Sequence, residues 1–199
     1  FDGEYARMVN VFNLEWMTCV IEKGNYFNDL SLKKQEDFYA NECVSNSKQV
    51  VIISDALRYE VAAELMQELA KEKHMAKLSV YRAMLPTETK YCKPALLPHT
   101  SLIWKNKEML VDGIVLDTLE SRSAQVAKYK AEACCVDYET IIKADQKTAR
   151  ELFKLPLVYI FHDTIDAASH GAGAGDVIAA CRKAIEQLAV LIRRLHASW

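Results

Sequence analysis

Two short, uninterrupted apolar runs constrain the fold of this chain more than any other feature. Val50-Val51-Ile52-Ile53 and Leu157-Val158-Tyr159-Ile160-Phe161 carry no charge and are rich in β-branched and aromatic residues. Such runs suit strands buried on both faces, as in a parallel sheet covered by helices. Each run ends abruptly in acid-bearing sequence. Ser54-Asp55 follows the first, and His162-Asp163-Thr164-Ile165-Asp166 follows the second, with His170 four positions further on. Open α/β sheets place their ligands at the carboxyl ends of strands, so these two packets are where chemistry is expected.

The intervening sequence alternates in character. Residues 56–73 read as an amphipathic helix with Leu57, Val61, Leu65, Met66 and Leu69 inside. Residues 77–84 are a predicted second strand, followed by the loop Pro86-Thr87-Glu88-Thr89 and a short helical or irregular segment around 94–98. Residues 101–104 and 108–111 are predicted to pair around Asn106, with a turn at Asp112-Gly113. A helix over 123–129, a strand over 133–136 and one polar-faced helix over 138–153 precede the second apolar run. A long helix over 176–195 ends the pattern. This alternation implies an α/β fold: a mostly parallel sheet with helices on both faces.

Residues 1–47 contain no strand-like run. Met8, Val11, Phe12, Trp16 and Val20 recur at helical spacing, Gly24-Asn25 supplies a stop signal, and a more polar helix is predicted over 32–44. The expected division is a helical segment over 1–47, the end of a preceding helical region, and an α/β domain over 48–199.

Composition excludes several function classes. A formal net charge of -2 over 199 residues argues against a general nucleic-acid or membrane-surface binder. No run approaches the roughly 18 apolar residues of a membrane span, and the first residues show no signal-peptide pattern. The six cysteines have no CxxC spacing, which points to free thiols in a reducing, cytoplasmic setting. Adjacent Cys134 and Cys135 would face opposite ways in a strand, as packing residues rather than ligands. Gly171, Gly173 and Gly175 lack the lysine of a phosphate loop and read as a connector.

Asp166 and His170, four apart on a helix, would converge on one spot, and zinc accepts a carboxylate with an imidazole. His162 is also four from Asp166 and could orient that acid. Asp163 lies within the same packet. Asp55 reads either as a helix cap or as a carboxylate ligand. Thr87 and Thr89 read either as turn formers or as a nucleophile, which would need a base or a metal to lower its pKa. His74, His99 and His196 read as surface residues.

Together these segments resemble the PglZ domain, a branch of the alkaline phosphatase superfamily. The resemblance is carried by Val51-Ile52-Ile53-Ser54-Asp55-Ala56-Leu57-Arg58-Tyr59-Glu60, by Pro86-Thr87-Glu88-Thr89, and by Pro94-Ala95-Leu96-Leu97-Pro98-His99. Val111-Asp112-Gly113 and Tyr159-Ile160-Phe161-His162-Asp163-Thr164-Ile165-Asp166 complete it, so it spans about residues 48 to 195. It implies an alkaline-phosphatase-like fold with two divalent metal ions, usually zinc. Asp55 would bind one ion and Asp166 the other, with His170 assisting. Thr89 would be the nucleophile and Thr87 the alternative, while His162, Asp163 and Thr87 would surround the ligands.

The superfamily takes further ligands from an Asp-His pair and a later histidine, and no Asp-His dipeptide occurs here. The chain is therefore expected to be an incomplete domain, truncated at its C-terminus, with weak metal binding and little activity. The resemblance implies hydrolysis of a phosphate-ester or nucleotide-type substrate, mono- or diester, inside a BREX bacteriophage-defence assembly that includes a DNA methyltransferase. The competing expectation is a scaffold or interaction module with an incomplete site. A phosphomutase or sulfatase of the same superfamily is the third, and the modification motif of a sulfatase is missing from the sequence.

Overall fold

The computed structural model describes residues 2–23, 31–45, 47–72, 74–170 and 173–198. The expected stop at Gly24-Asn25 and the glycine at 171 lie outside them. The chain divides into two compact units, Phe1–Leu32 and Lys33–Trp199. In the first, helix α1 (Asp2–Glu22) leaves Tyr5, Phe12, Leu14 and Ile21 exposed.

The second unit opens with a 3-10 turn (Gln35–Asp37) and α2 (Phe38–Glu42), followed by β1 (Gln49–Ser54), α3 (Tyr59–Lys71) and α4 (Thr89–Ala95). A three-stranded antiparallel meander comes next: β2 (Leu102–Lys105), β3 (Glu108–Val111) and β4 (Ile114–Val115). Then come α5 (Leu119–Tyr129), β5 (Cys134–Asp137), α6 (Tyr138–Lys143), α7 (Gln146–Phe153), β6 (Leu157–His162), α8 (Thr164–Ser169) and α9 (Ala174–Ser198).

The central sheet is parallel, in the order β1-β6-β5. Every residue of the middle strand β6 is buried, while β1, at one edge, is half-buried throughout. Strand alternation sends the two faces of the sheet into separate cores. Val51, Ile53, Cys135, Leu157, Tyr159 and Phe161 pack on one side with Tyr91, Leu97 and Val126. Val50, Ile52, Cys134, Val136, Val158 and Ile160 pack on the other with Ile141, Phe153, Leu191 and Leu195. Helices therefore cover both faces, as the apolar runs implied. Cys134 and Cys135 enter opposite cores, and burial pushes the Cys135 thiol up to about 12. All six cysteines are free. No helix among the described residues is long and apolar enough to cross a membrane.

Three local expectations fail, each for a physical reason. Residues 77–84 form no strand; only Arg82 bridges, to Lys34. That partner enters the 3-10 turn at once, so no extended neighbour exists to propagate a ladder. The same bridge keeps Lys34 extended, which confines the expected 32–44 helix to the turn and α2. The single helix over 138–153 is two, because Asp145 caps α7 by accepting a bond from the Thr148 amide at 2.8 Å.

Candidate functional site

The β1–β6 ladder sets the site's geometry. Ser54 lies opposite His162 in register, and the Asp55 amide donates to the His162 carbonyl at 2.7 Å. Pairing thus continues one residue beyond β1 and fixes Asp55 at the carboxyl end of the sheet. The next residue, Ala56, has a φ of 60°, in the left-handed region that costs a residue with a Cβ about 1–2 kcal/mol. The chain turns there, and α3 starts only at Tyr59 with Arg58 as its N-cap. Asp55 is therefore not a helix cap. Its Oδ1 accepts from the Ala56 amide at 3.1 Å.

Both carboxylate oxygens face α4. The Thr89 hydroxyl donates to Asp55 Oδ1 at 3.3 Å, and the Lys93 ammonium stands 2.5 Å from Oδ2. The side chains of Lys93 and Asp55 are only 17% and 14% exposed. Oδ2 is buried and meets no hydrogen-bond donor at an acceptable angle, so charge rather than directed hydrogen bonding holds this pair. Thr89 and Lys93, one turn apart on α4, reach the same acid because i and i+4 share a helix face. The sequence reading missed Lys93, although its spacing from Thr89 was the available signal.

Cys92 lies nearby, with its thiol donating to the Met84 and Pro86 carbonyls, each at 3.4 Å. Burial, then the charges of Asp55 and Glu88, push that thiol's pKa up. Thiolate chemistry is thereby disfavoured, and the nucleophile-type group beside Asp55 is the exposed Thr89 hydroxyl.

A cleft of about 840 Å³ opens beside α4, and Thr87, Thr89, Lys93, Arg122, Asp166 and His170 are among the residues that line it. Asp166 belongs to α8 and His170 caps that helix. Their Oδ2 and Nε2 atoms are 3.3 Å apart, with His170 77% exposed and Asp166 29%. The acid–imidazole pair expected from spacing is thus formed, and it shares one cleft with both threonines.

The remaining site residues are placed differently. His162 is 2% exposed and both ring nitrogens are engaged. Nε2 meets Gln187 Oε1 at 3.1 Å and Nδ1 meets the Ser54 hydroxyl at 2.9 Å. Because the Gln187 oxygen only accepts, Nε2 is the donor in that bond. His162 braces the strand end below Asp55 and has no nitrogen free for a metal. Asp163 is exposed at the N-cap of α8, with no side-chain capping bond. His74 and His196 stack at 4.6 Å, and His99 Nδ1 contacts the Leu97 carbonyl at 2.7 Å.

Asp112, read from the sequence as a turn residue, is a hydrogen-bond hub. Its Oδ1 accepts from both the amide and hydroxyl of Thr100 and from the Ser101 amide, and its Oδ2 accepts from Gln125 and Tyr129. Burial alone would raise its pKa. The Tyr129 hydroxyl, the two amides and Gln125 outweigh that and hold the carboxyl well below the usual carboxylate range.

In kind, two acids, an imidazole and a hydroxyl suit a divalent ion such as zinc. In number they do not complete a site. Among the described residues no group of three His, Cys, Asp or Glu is disposed to hold one, and a lysine ammonium already neutralises Asp55.

These features define a parallel-sheet α/β protein with a threonine–aspartate pair at the carboxyl end of its sheet. Residues 39–198 match the family described as the BREX system PglZ alkaline phosphatase-like domain, and the chain belongs to that family. It is 34% identical over 187 residues to the alkaline phosphatase-like protein BrxZ of Escherichia coli O9:H4 (strain HS), a match covering 89% of this chain and 21% of that protein. It is 29% identical over 196 residues to the alkaline phosphatase-like protein PglZ of Bacillus cereus (strain H3081.97), covering 94% of this chain and 23% of the relative. The chain therefore spans about a fifth of the length of these curated relatives. No solved structure matches it.

Proposed function

We propose that this chain carries the nucleophile-bearing part of a metal-dependent phosphate-ester hydrolase that acts within a BREX anti-phage system. The observation that carries the reading is the Thr89–Asp55 hydrogen bond at the rim of a cleft also lined by Asp166 and His170. Asp55 would bind one divalent ion, and Asp166 with His170 the other. A bound divalent ion would lower the pKa of a nearby hydroxyl and stabilise charge on a leaving oxygen.

The chain's own residues would act as follows. Asp55 orients the Thr89 hydroxyl through its Oδ1, and Lys93 holds that carboxylate in place. Thr89 Oγ1 attacks phosphorus in line as its proton passes to water, the ester bond to the leaving oxygen breaks, and that oxygen takes a proton from water to depart as the alcohol. Water then cleaves the resulting phosphothreonine. His162 holds the strand end that bears Asp55 through Ser54. Partners would be other BREX components, including a DNA methyltransferase.

The incomplete donor set favours a second reading, a scaffold or interaction module, which the exposed apolar side chains of α1 also suit. One experiment separates the two. In the full polypeptide that carries this domain, zinc-dependent cleavage of a phosphate ester supports the hydrolase, and sustained inactivity with intact folding supports the scaffold.

A further inference from the structure

Gln187 lies midway along α9, and its side-chain oxygen is where two separate arms of the site meet. Oε1 accepts from the Thr164 hydroxyl at 2.8 Å and from His162 Nε2 at 3.1 Å. His162 is the buried last residue of β6, and Thr164 is the half-buried first residue of α8. One oxygen with two lone pairs therefore ties a strand end and a helix start to a third element.

Each arm carries half of the cleft's chemistry. On the first, His162 Nδ1 meets the Ser54 hydroxyl at 2.9 Å, and the His162 carbonyl accepts from the Asp55 amide at 2.7 Å. Asp55 in turn accepts from the Thr89 hydroxyl. On the second, Thr164 opens the helix that bears Asp166 and ends at His170. Ile165 of α8 also packs on Ala184 of α9, but apolar packing is non-directional and does not orient the helix. The Tyr138 ring crosses the His162 ring at 4.9 Å and 82°, which limits how far the imidazole can tilt. A buried donor without an acceptor is costly, so loss of the Gln187 oxygen would be relieved by movement of the β6 end or of α8. Misplacement by about 1 Å can cost about 100-fold in rate.

We propose that Gln187 is a positioning residue, whose one side-chain oxygen sets the Asp55–Thr89 half of the cleft against the Asp166–His170 half. This rests on the hydrolase reading and names the residue that aligns its two sides.

The test compares wild type with Gln187→Met, which keeps the length and removes the acceptor, and with Gln187→Glu, which keeps an acceptor oxygen. Turnover of a chromogenic phosphate ester is measured in the full polypeptide carrying this domain, with rates referred to the folded fraction by circular dichroism. Gln187→Met is expected to lower kcat by about 10- to 100-fold with KM within about threefold. Gln187→Glu is expected to recover kcat to within about fivefold of wild type. In nitrogen-15 spectra the backbone amides of Asp55 and Asp166 are expected to shift together in Gln187→Met and to return in Gln187→Glu.

Should Gln187→Met lose its fold, the wild-type histidine spectrum still decides: His162 is expected to carry a proton on Nε2. A bare Nε2 would mean that the amide donates instead of accepting, and would overturn the proposal. So would amides of Asp55 and Asp166 that stay in place, a kcat unmoved by Gln187→Met, or a loss that Gln187→Glu does not recover. Amides that shift together in a protein without turnover remove the hydrolase reading alone. Turnover that needs Thr89 and ignores Gln187 removes the positioning role alone.

Discussion

Lys93 and Asp55 form an ion pair 2.5 Å long that is largely shielded from water, at the point where β1 ends. Lys93 does there what a bound cation would do, and it does so from the same face of α4 that presents Thr89. Removing one partner strands the other charge, whereas removing both does not. Lys93→Ala and Asp55→Asn are each expected to cost about 2–3 kcal/mol in urea unfolding, and the double variant at least about 1 kcal/mol less than their sum. Simple additivity would show that the pair is not coupled.

Ala56 carries backbone strain at the same junction. With φ at 60°, a glycine there should relieve about 0.5–1 kcal/mol despite its greater freedom in the unfolded chain. Thermal unfolding of Ala56→Gly is expected to show a higher Tm. A lower Tm would mean that the Cβ is packed and that the turn is not strained.

How much of this could be read in the sequence depended on whether the signal was local. The strands ending at Ser54 and His162 were legible because continuous apolar runs have few alternatives, and the Asp166–His170 pair was legible because a helix imposes its spacing. The helix expected from Ala56 onward starts later because the ladder holds Asp55 one residue past the strand, a consequence of pairing with β6 that residues 56–73 do not encode. Residues 77–84 have the composition of a strand and lack a neighbour to make them one. Lys93 and Asp112 were missed for a shared reason: their partners lie 38 and 17 positions away in Asp55 and Tyr129.

Asp112 gives the fold an acid sensitivity with a definite sign. A carboxyl whose folded pKa lies below its unfolded value stabilises the fold above the unfolded value, near 3.9, and loses that contribution as pH falls toward the folded pKa. Asp112→Asn is expected to cost about 2 kcal/mol near neutral pH, where a charged acceptor is lost. The difference from wild type should shrink below about pH 4. A penalty constant from pH 7 to pH 3 would place the effect in packing rather than charge.

The central claim is that the Thr89 hydroxyl, held by Asp55, is the group that attacks phosphorus. The most direct measurement is turnover of a chromogenic phosphate mono- or diester, in the presence of zinc, by the full polypeptide carrying this domain. Wild type is compared with Thr89→Ala and Thr87→Ala, with circular dichroism as a check on folding. The expected result is a loss of at least about 1,000-fold for Thr89→Ala, with Thr87→Ala within about tenfold of wild type and both variants folded. Turnover by a folded Thr89→Ala protein at near wild-type rate would contradict the account.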